Sequence, residues 1–172
     1  MLALATAQRL QTLSLIKLSN IKKSEVSYVI SITDLIQTSR PGIKQLGLVL
    51  PFFRNRFEIC IASTLDYYLK ITESLRNDTD QLFITTRKHY KAATKATLSR
   101  WIRSSLAFCD VDSRFNAHIT RHAPSSAALK KSISIDLISS AACWSEKSET
   151  FFRFYNKPIL NNSKDFASSS LT

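Results

Sequence analysis

Residues 26–51 read VSYVISITDLIQTSRPGIKQLGLVLP, and this stretch sets the fold class. Residues 26–38 alternate in polarity and are rich in Val, Ile and Thr, a pattern typical of a β-strand. The turn residues SRPG follow, with Pro41 and Gly42 supplying the backbone angles that a tight turn needs. Residues 46–51 then predict a returning strand. The stretch therefore predicts a β-hairpin early in the chain.

Helical patterns surround the hairpin. Apolar residues recur at helical spacing in residues 2–18, 60–72 and 95–108, and in a further region that begins near Phe115. Thr94 precedes the third of these stretches and is expected to cap it. Two shorter helices are predicted at 133–142 and 147–154, and a short strand at 81–85. The sequence thus predicts a mainly helical α+β domain with an early β-hairpin.

Charge and composition restrict the class of partner. The chain has 172 residues and a net charge of +11, which favours nucleic acid as the partner, with an anionic membrane as the rival. Its apolar runs fall far short of the roughly 20 residues that span a bilayer, so we expect no membrane-spanning segment. Three widely separated cysteines indicate reduced thiols and an intracellular protein; they are Cys60, Cys109 and Cys143.

Two histidines, His118 and His122, are spaced i, i+4 in the segment AHITRHA. That spacing places both on one helix face, as in zinc metalloproteases. However, Ile119 stands where such enzymes carry a glutamate, and His89 lies in a separate loop. We therefore expect no metal here. A solvated polar helix face is the simplest interpretation of the segment taken alone.

Seven segments nevertheless occur in an order that resembles a known family. They are QRLQTL (8–13), DLIQTSRPG (34–42), LPFF (50–53), IASTLDYYLKIT (61–72), LFITTRKHYKAATKATLSRWI (82–102), AHITRHA (117–123) and CWSEKSETFFRFYNKPI (143–159). This set is similar to the catalytic domain of the tyrosine recombinases, the phage-integrase-like enzymes that break and rejoin DNA. The resemblance is greatest to the versions in eukaryotic DIRS-like mobile elements.

The resemblance implies a chemistry and a set of site residues. A tyrosine attacks a DNA phosphodiester and forms a 3′-phosphotyrosine, which a 5′-hydroxyl later reverses without a metal or other cofactor. Paired arginines stabilise the charge on the phosphate in the transition state. Carried over by position, the catalytic residues are Arg9, His118 and Arg121, with Trp144 as a further donor and Tyr155 as the nucleophile. His122 is read as a neighbour outside this set.

Three departures from the family pattern keep an alternative open. Gln37 stands where the family has a general-acid lysine, and Lys44, just past the turn, is a candidate substitute. Ala7 and Cys143 replace glycines that the family commonly has. The N-terminal domain that clamps the other side of the DNA is expected to be absent. The alternative is therefore a catalytically impaired or inactive DNA-binding remnant of a mobile-element recombinase.

The remaining expectations concern partners and organisation. Double-stranded DNA is the expected partner, bound through a basic run made of Arg87, Lys88, Lys91, Lys95, Arg100 and Arg103. The resemblance implies a homo-oligomer on DNA and a nuclear protein. Residues 1–159 are expected to form the catalytic domain, and residues 160–172 a polar, flexible tail. A basic module for acidic proteins or membranes is less favoured, because it does not explain the ordered polar residues.

Overall fold

A computed structural model describes residues 1–36, 39 and 47–144 of the chain. Its helices are α1 (Leu2–Thr6), α2 (Leu10–Ser14), α3 (Ile61–Thr72), α4 (Lys95–Phe108), α5 (Ile119–Lys130) and α6 (Ile135–Ala141). Its strands are β1 (Ile21–Lys23), β2 (Ser27–Ser31) and β3 (Gly47–Pro51). Short 3₁₀ turns occur at Leu18–Asn20, Phe57–Ile59 and Glu73–Leu75. The predicted fold class, mainly helical α+β, is confirmed.

The three strands form one antiparallel sheet in the order β1-β2-β3. Tyr28 pairs with Leu50, and Ile30 pairs with Leu48, so one face of the hairpin is buried. The pairing of β2 with β3 confirms the predicted hairpin. The first strand is shorter than predicted, because β2 ends at Ser31 and residues 32–36 leave the ladder. The turn at 40–42 lies outside the described residues.

The core forms where the helices cover the buried face of this sheet. Ile16, Ile30 and Leu82 are fully buried, and α3 and α4 add Leu65 and Leu98 to the same cluster. Helix α4 is capped as expected, since the Thr94 hydroxyl accepts a hydrogen bond from the Thr97 amide. The helical predictions for 60–72 and 95–108 are confirmed.

The prediction of one helix over residues 2–18 is wrong. The chain forms α1 and α2 with a break between them, where Ala7 has a φ of 50° and Arg9 is extended. A left-handed residue cannot continue a right-handed helix, so α1 ends there. The apolar spacing gave no sign of this break.

Other boundaries also differ from the predictions. Residues 81–85 form isolated bridges at Gln81 and Ile84 instead of a strand. Helix α5 begins at Ile119, four residues later than expected, because the Asn116 side chain binds the His118 amide and holds a turn. Helix α6 starts after Ser134, whose hydroxyl caps it. The predicted helix at 147–154 and the predicted tail at 160–172 lie outside the described residues.

The last described helices return to the beginning of the chain. Helix α5 packs against α1, and α6 packs against α5. This packing places the segment 141–144 beside the break between α1 and α2. Across the described part of the chain, no helix has the length and apolar character needed to cross a membrane.

Candidate active site

Arg121 is at the centre of the candidate site. It lies in the first turn of α5 and is only 1% exposed. Its Nη1 donates to the Ala7 carbonyl at 3.1 Å, and its Nη2 donates to the Ala142 carbonyl at 2.7 Å. Its Cζ lies 5.2 Å from the centroid of the Trp144 ring. The guanidinium therefore joins three segments, and the carbonyl dipoles and the ring offset the cost of burying its charge.

Arg9 lies near the same point. Burial raises the pKa of the Cys143 thiol, whereas the nearby Arg121, Gln8 and Arg9 side chains act in the opposite direction. Both guanidinium groups are therefore close enough to this thiol to affect its ionisation. Arg9 is half-buried and directly precedes α2. The structure thus brings Arg121 into contact with Trp144, and Arg9 lies two residues after the Ala7 carbonyl that Arg121 binds.

The backbone is strained on both sides of this site. Ala7 has a φ of 50° and Cys143 has a φ of 51°. For residues with a side chain, this left-handed conformation costs roughly 1–2 kcal/mol. These are the two positions at which the resemblance implies glycine, the residue that adopts such angles without that cost. The close approach of the two segments therefore rests on backbone angles that Ala and Cys adopt reluctantly.

Gln8 is a site residue that the sequence did not single out. It is 2% exposed, and its Nε2 donates to the carbonyls of Thr6 at 3.2 Å and Ala141 at 2.7 Å. The second bond spans 133 positions of sequence. Its one sequence signal is an amide side chain within the apolar start of the chain, next to the charged Arg9.

His118 lies at the edge of the site. It is exposed and immediately precedes α5, and its carbonyl accepts a hydrogen bond from the Arg121 amide at 2.9 Å. Its ring contacts the His122 ring edge-on, with 6.0 Å between the centroids. This exposed position leaves the His118 imidazole accessible to a ligand from solvent.

Three predicted residues cannot be placed. Gln37, Lys44 and Tyr155 lie outside the described residues, so the general-acid position and the nucleophile remain predictions from the sequence.

The six predicted DNA-binding residues are all exposed. Arg87, Lys88 and Lys91 lie in a tight turn closed by the bridge between Ile84 and Ala92. The turn passes through positive φ angles at His89 and Tyr90, which are 79° and 37°. The other three residues, Lys95, Arg100 and Arg103, lie on α4, which begins three residues after the bridge residue Ala92. The run therefore forms a solvated basic surface made from one turn and the helix that follows it.

No metal-binding arrangement is found in the described part of the chain, where no three His, Cys, Asp or Glu side chains come together as a ligand set. The contact between His118 and His122 is an edge-on packing of two aromatic rings.

Solved structures of recombinases have a fold similar to that of this chain. No protein-family model and no curated protein sequence matches the chain. XerA recombinase has the same fold, with a TM-score of 0.71 and 18% identity over 99% of this chain and 55% of XerA. XerH site-specific recombinase, bound to its difH substrate before cleavage, gives a TM-score of 0.68 and 22% identity over 97% of this chain and 43% of XerH.

A Flpe mutant in a DNA Holliday-junction complex gives a TM-score of 0.50 and 17% identity over 91% of this chain and 40% of Flpe. The chain spans about half the length, or less, of these recombinases. Its fold is the one they share, so the predicted tyrosine-recombinase fold is confirmed.

Proposed function

We propose that the chain breaks and rejoins DNA as the catalytic domain of a tyrosine recombinase, through a 3′-phosphotyrosine intermediate. The observation that carries the proposal is that Arg121 contacts Trp144 and binds the segment that carries Arg9. These residues come from three distant parts of the sequence and meet in a fold shared with site-specific recombinases. Such convergence of two cations and an indole donor suits an anionic ligand such as a phosphodiester.

In the proposed reaction, the Tyr155 hydroxyl oxygen attacks the phosphorus of one DNA strand. A tyrosyl–phosphorus bond forms as the bond from phosphorus to the 5′-oxygen breaks. The tyrosine loses its proton and the leaving 5′-oxygen gains one. A 5′-hydroxyl reverses these steps and rejoins the strand. One phosphoester replaces another, so the reaction requires no external energy source.

The arginines would stabilise the phosphate as it is attacked. An arginine stays protonated at any physiological pH and presents paired donors to phosphate oxygens. Arg121 already uses one N–H group on each of the Ala7 and Ala142 carbonyls. Those two bonds fix the orientation of the guanidinium relative to the segments that carry Arg9 and Trp144. His118, exposed one turn earlier, would move the proton.

DNA is the proposed partner, bound as a duplex by a homo-oligomer. The exposed basic turn and α4 support this proposal, as does the overall charge of +11. By the resemblance, the same proposal places the protein in the nucleus as the product of a mobile element. We expect the affinity for duplex DNA to fall steeply as salt rises, because phosphate contacts release counterions. Binding that is insensitive to salt between about 50 and 200 mM would contradict phosphate contacts.

A DNA-binding protein without cleavage activity is the second candidate. The observation that favours it is Gln37, since a glutamine side chain cannot donate a proton to the leaving 5′-oxygen. If this loss accounts for low activity, Gln37→Lys should raise the rate of strand cleavage, by up to about 10²–10⁴-fold.

The decisive experiment is a search for the covalent intermediate. A pool of duplexes with randomised sequence is labelled at the 5′ end and nicked just beyond each potential cleavage site, so that the short released strand diffuses away. We expect a labelled protein adduct on a denaturing gel with wild type and with Tyr67→Phe, a control that removes the hydroxyl of an exposed tyrosine. Tyr155→Phe should give none. Salt-sensitive DNA binding without an adduct, in both wild type and Gln37→Lys, would select the second candidate.

A further inference from the structure

Two polar side chains span the same pair of chain segments at the candidate site. One segment contains the carbonyls of Thr6 and Ala7, at the end of α1. The other contains the carbonyls of Ala141 and Ala142, at the end of α6. Gln8 donates to the first carbonyl of each segment, and Arg121 donates to the second carbonyl of each. The two side chains thus form two successive cross-links between the segments.

We infer that Gln8 is a positioning residue, which holds the segment that carries Arg9 against the segment that carries Trp144. Arg9 directly follows Gln8 in sequence, and Trp144 follows Ala141 by three residues. A change in the spacing of the two carbonyl segments would therefore displace the arginine and the indole relative to each other. This inference rests on the proposed function and goes beyond it, because it assigns geometric control of the site to a residue outside the catalytic set.

The chemistry of the amide suits this role. An amide nitrogen carries two hydrogens, which match the two carbonyls that it joins. Because Gln8 is neutral, it adds no charge beside the two arginines. It is also 2% exposed, so water does not compete for its donors. Without these donors, the Thr6 and Ala141 carbonyls would each lose a hydrogen-bond partner, which gives the cross-link its strength.

The first test needs no enzymatic activity. Trp101→Phe leaves Trp144 as the one tryptophan of the chain, so that its fluorescence reports on the segment 141–144. Gln8→Met is then introduced, since methionine keeps the unbranched length of the side chain and removes its donors. We expect acrylamide to quench Trp144 about two-fold more effectively after this change, because the segment opens locally. An unchanged quenching constant in a folded variant overturns the inference.

A matched control separates local opening from general destabilisation. Tyr28→Phe removes a hydrogen bond to Asp66 in the sheet region, away from both carbonyl segments. It should lower stability without increasing the quenching of Trp144. Equal quenching in Gln8→Met and Tyr28→Phe, compared at equal stability, would also overturn the inference. If Gln8→Met fails to fold, Gln8→Asn replaces it, since the shorter amide reaches one carbonyl and not both, and the same comparison applies.

The second test separates binding from chemistry. In Gln8→Met we expect the affinity for duplex DNA to change by less than about three-fold, because Gln8 touches no phosphate-binding surface. The rate of adduct formation should fall about 10- to 100-fold, as expected when catalytic groups shift by about 1 Å. Equal adduct rates in Gln8→Met and wild type would refute the positioning role. If wild type forms no adduct, the proposed function fails, and the fluorescence result decides the role of Gln8 by itself.

Discussion

Arg76 and Arg121 have similar surroundings, but they join very different parts of the chain. Each is almost fully buried, donates to two main-chain carbonyls and lies about 5 Å from an aromatic centroid, 5.4 Å for Tyr68 and 5.2 Å for Trp144. Arg76 binds the Gln81 and Leu82 carbonyls, five and six residues away. Arg121 binds carbonyls that are 114 and 21 positions away.

This difference distinguishes two uses of one side chain. Arg76 also donates to the Thr72 hydroxyl, so its partners all belong to the end of α3 and the segment just after it. It closes a local turn. Arg121 joins α5 to the ends of α1 and α6, which are far apart in sequence, close to the segment that carries Arg9. Burial and aromatic contact are therefore common to both arginines, and only the reach of the hydrogen bonds marks Arg121 as part of a candidate site.

The largest effect should come from Arg121→Lys. Lysine keeps the charge and loses the paired, planar donors, so adduct formation should fall about 10²–10³-fold. The measurement is the single-turnover rate of adduct formation with the nicked duplexes. A rate within a few-fold of wild type would show that Arg121, like Arg76, has a structural role and does not contribute to the reaction.

The same substitution at Arg76 should affect stability instead. Arg76→Lys removes several buried hydrogen bonds, so the free energy of unfolding should fall by about 1–3 kcal/mol. Well below the melting temperature, the adduct rate should stay close to that of wild type. Urea unfolding measures the first quantity, and the single-turnover assay measures the second. A large loss of rate at full folding would show that Arg76 also serves the site.

Backbone strain offers a finer comparison of the two regions. The left-handed residue beside Arg76 is Asn77, with a φ of 45°, and asparagine tolerates this conformation. Beside Arg121 the left-handed residues are Ala7 and Cys143. Ala7→Gly should therefore raise the free energy of unfolding by about 0.5–1 kcal/mol, after the entropy cost of glycine is subtracted. Asn77→Gly is the control, and urea unfolding should show a smaller gain there.

The smallest effect is expected at Asp66, which accepts hydrogen bonds from Lys23 and Tyr28 and serves as a comparison for the two buried arginines. Bonds from Lys23 and then Tyr28 hold the pKa of Asp66 below its ordinary value. The resulting stabilisation is complete above the ordinary aspartate pKa of about 3.9 and is lost as the pH falls through the lowered value. Asp66→Asn should therefore flatten the acid side of a plot of melting temperature against pH. Identical slopes for the variant and wild type would contradict this linkage.

Local signals predicted much of the fold. The apolar stripe of 95–108 and the Thr94 cap are encoded within a few residues of each other, and so is the alternation of the hairpin. The break at Ala7 could not be predicted, because bonds from Arg121 and Gln8 hold it in place, and neither partner segment is nearby in sequence. Strand β1 was missed because three residues, IKK, are too few to show alternation.

In the candidate site, too, some features could be predicted from the sequence and others could not. The ordered motifs pointed to Arg9, Arg121 and Trp144, and in the structure Arg121 contacts Trp144 and binds the segment that precedes Arg9. The position of Gln8 could not be foreseen, since its partner carbonyl at Ala141 belongs to the backbone and leaves no trace in residue identity. Side-chain chemistry can be inferred from sequence order, whereas contacts to distant carbonyls depend on packing.

The bond from Gln8 to Ala141 also has a consequence for the order of folding. Closing a loop of 133 residues costs more entropy than forming the sheet and the helices α3 and α4, whose contacts are nearer in sequence. The core between Leu13 and Leu98 can therefore assemble before α5 and α6 dock onto α1. A chain emerging from the ribosome would hold a folded core while its two arginines were still apart. On the proposed function, the ability to cut DNA would then arise only at the final docking step.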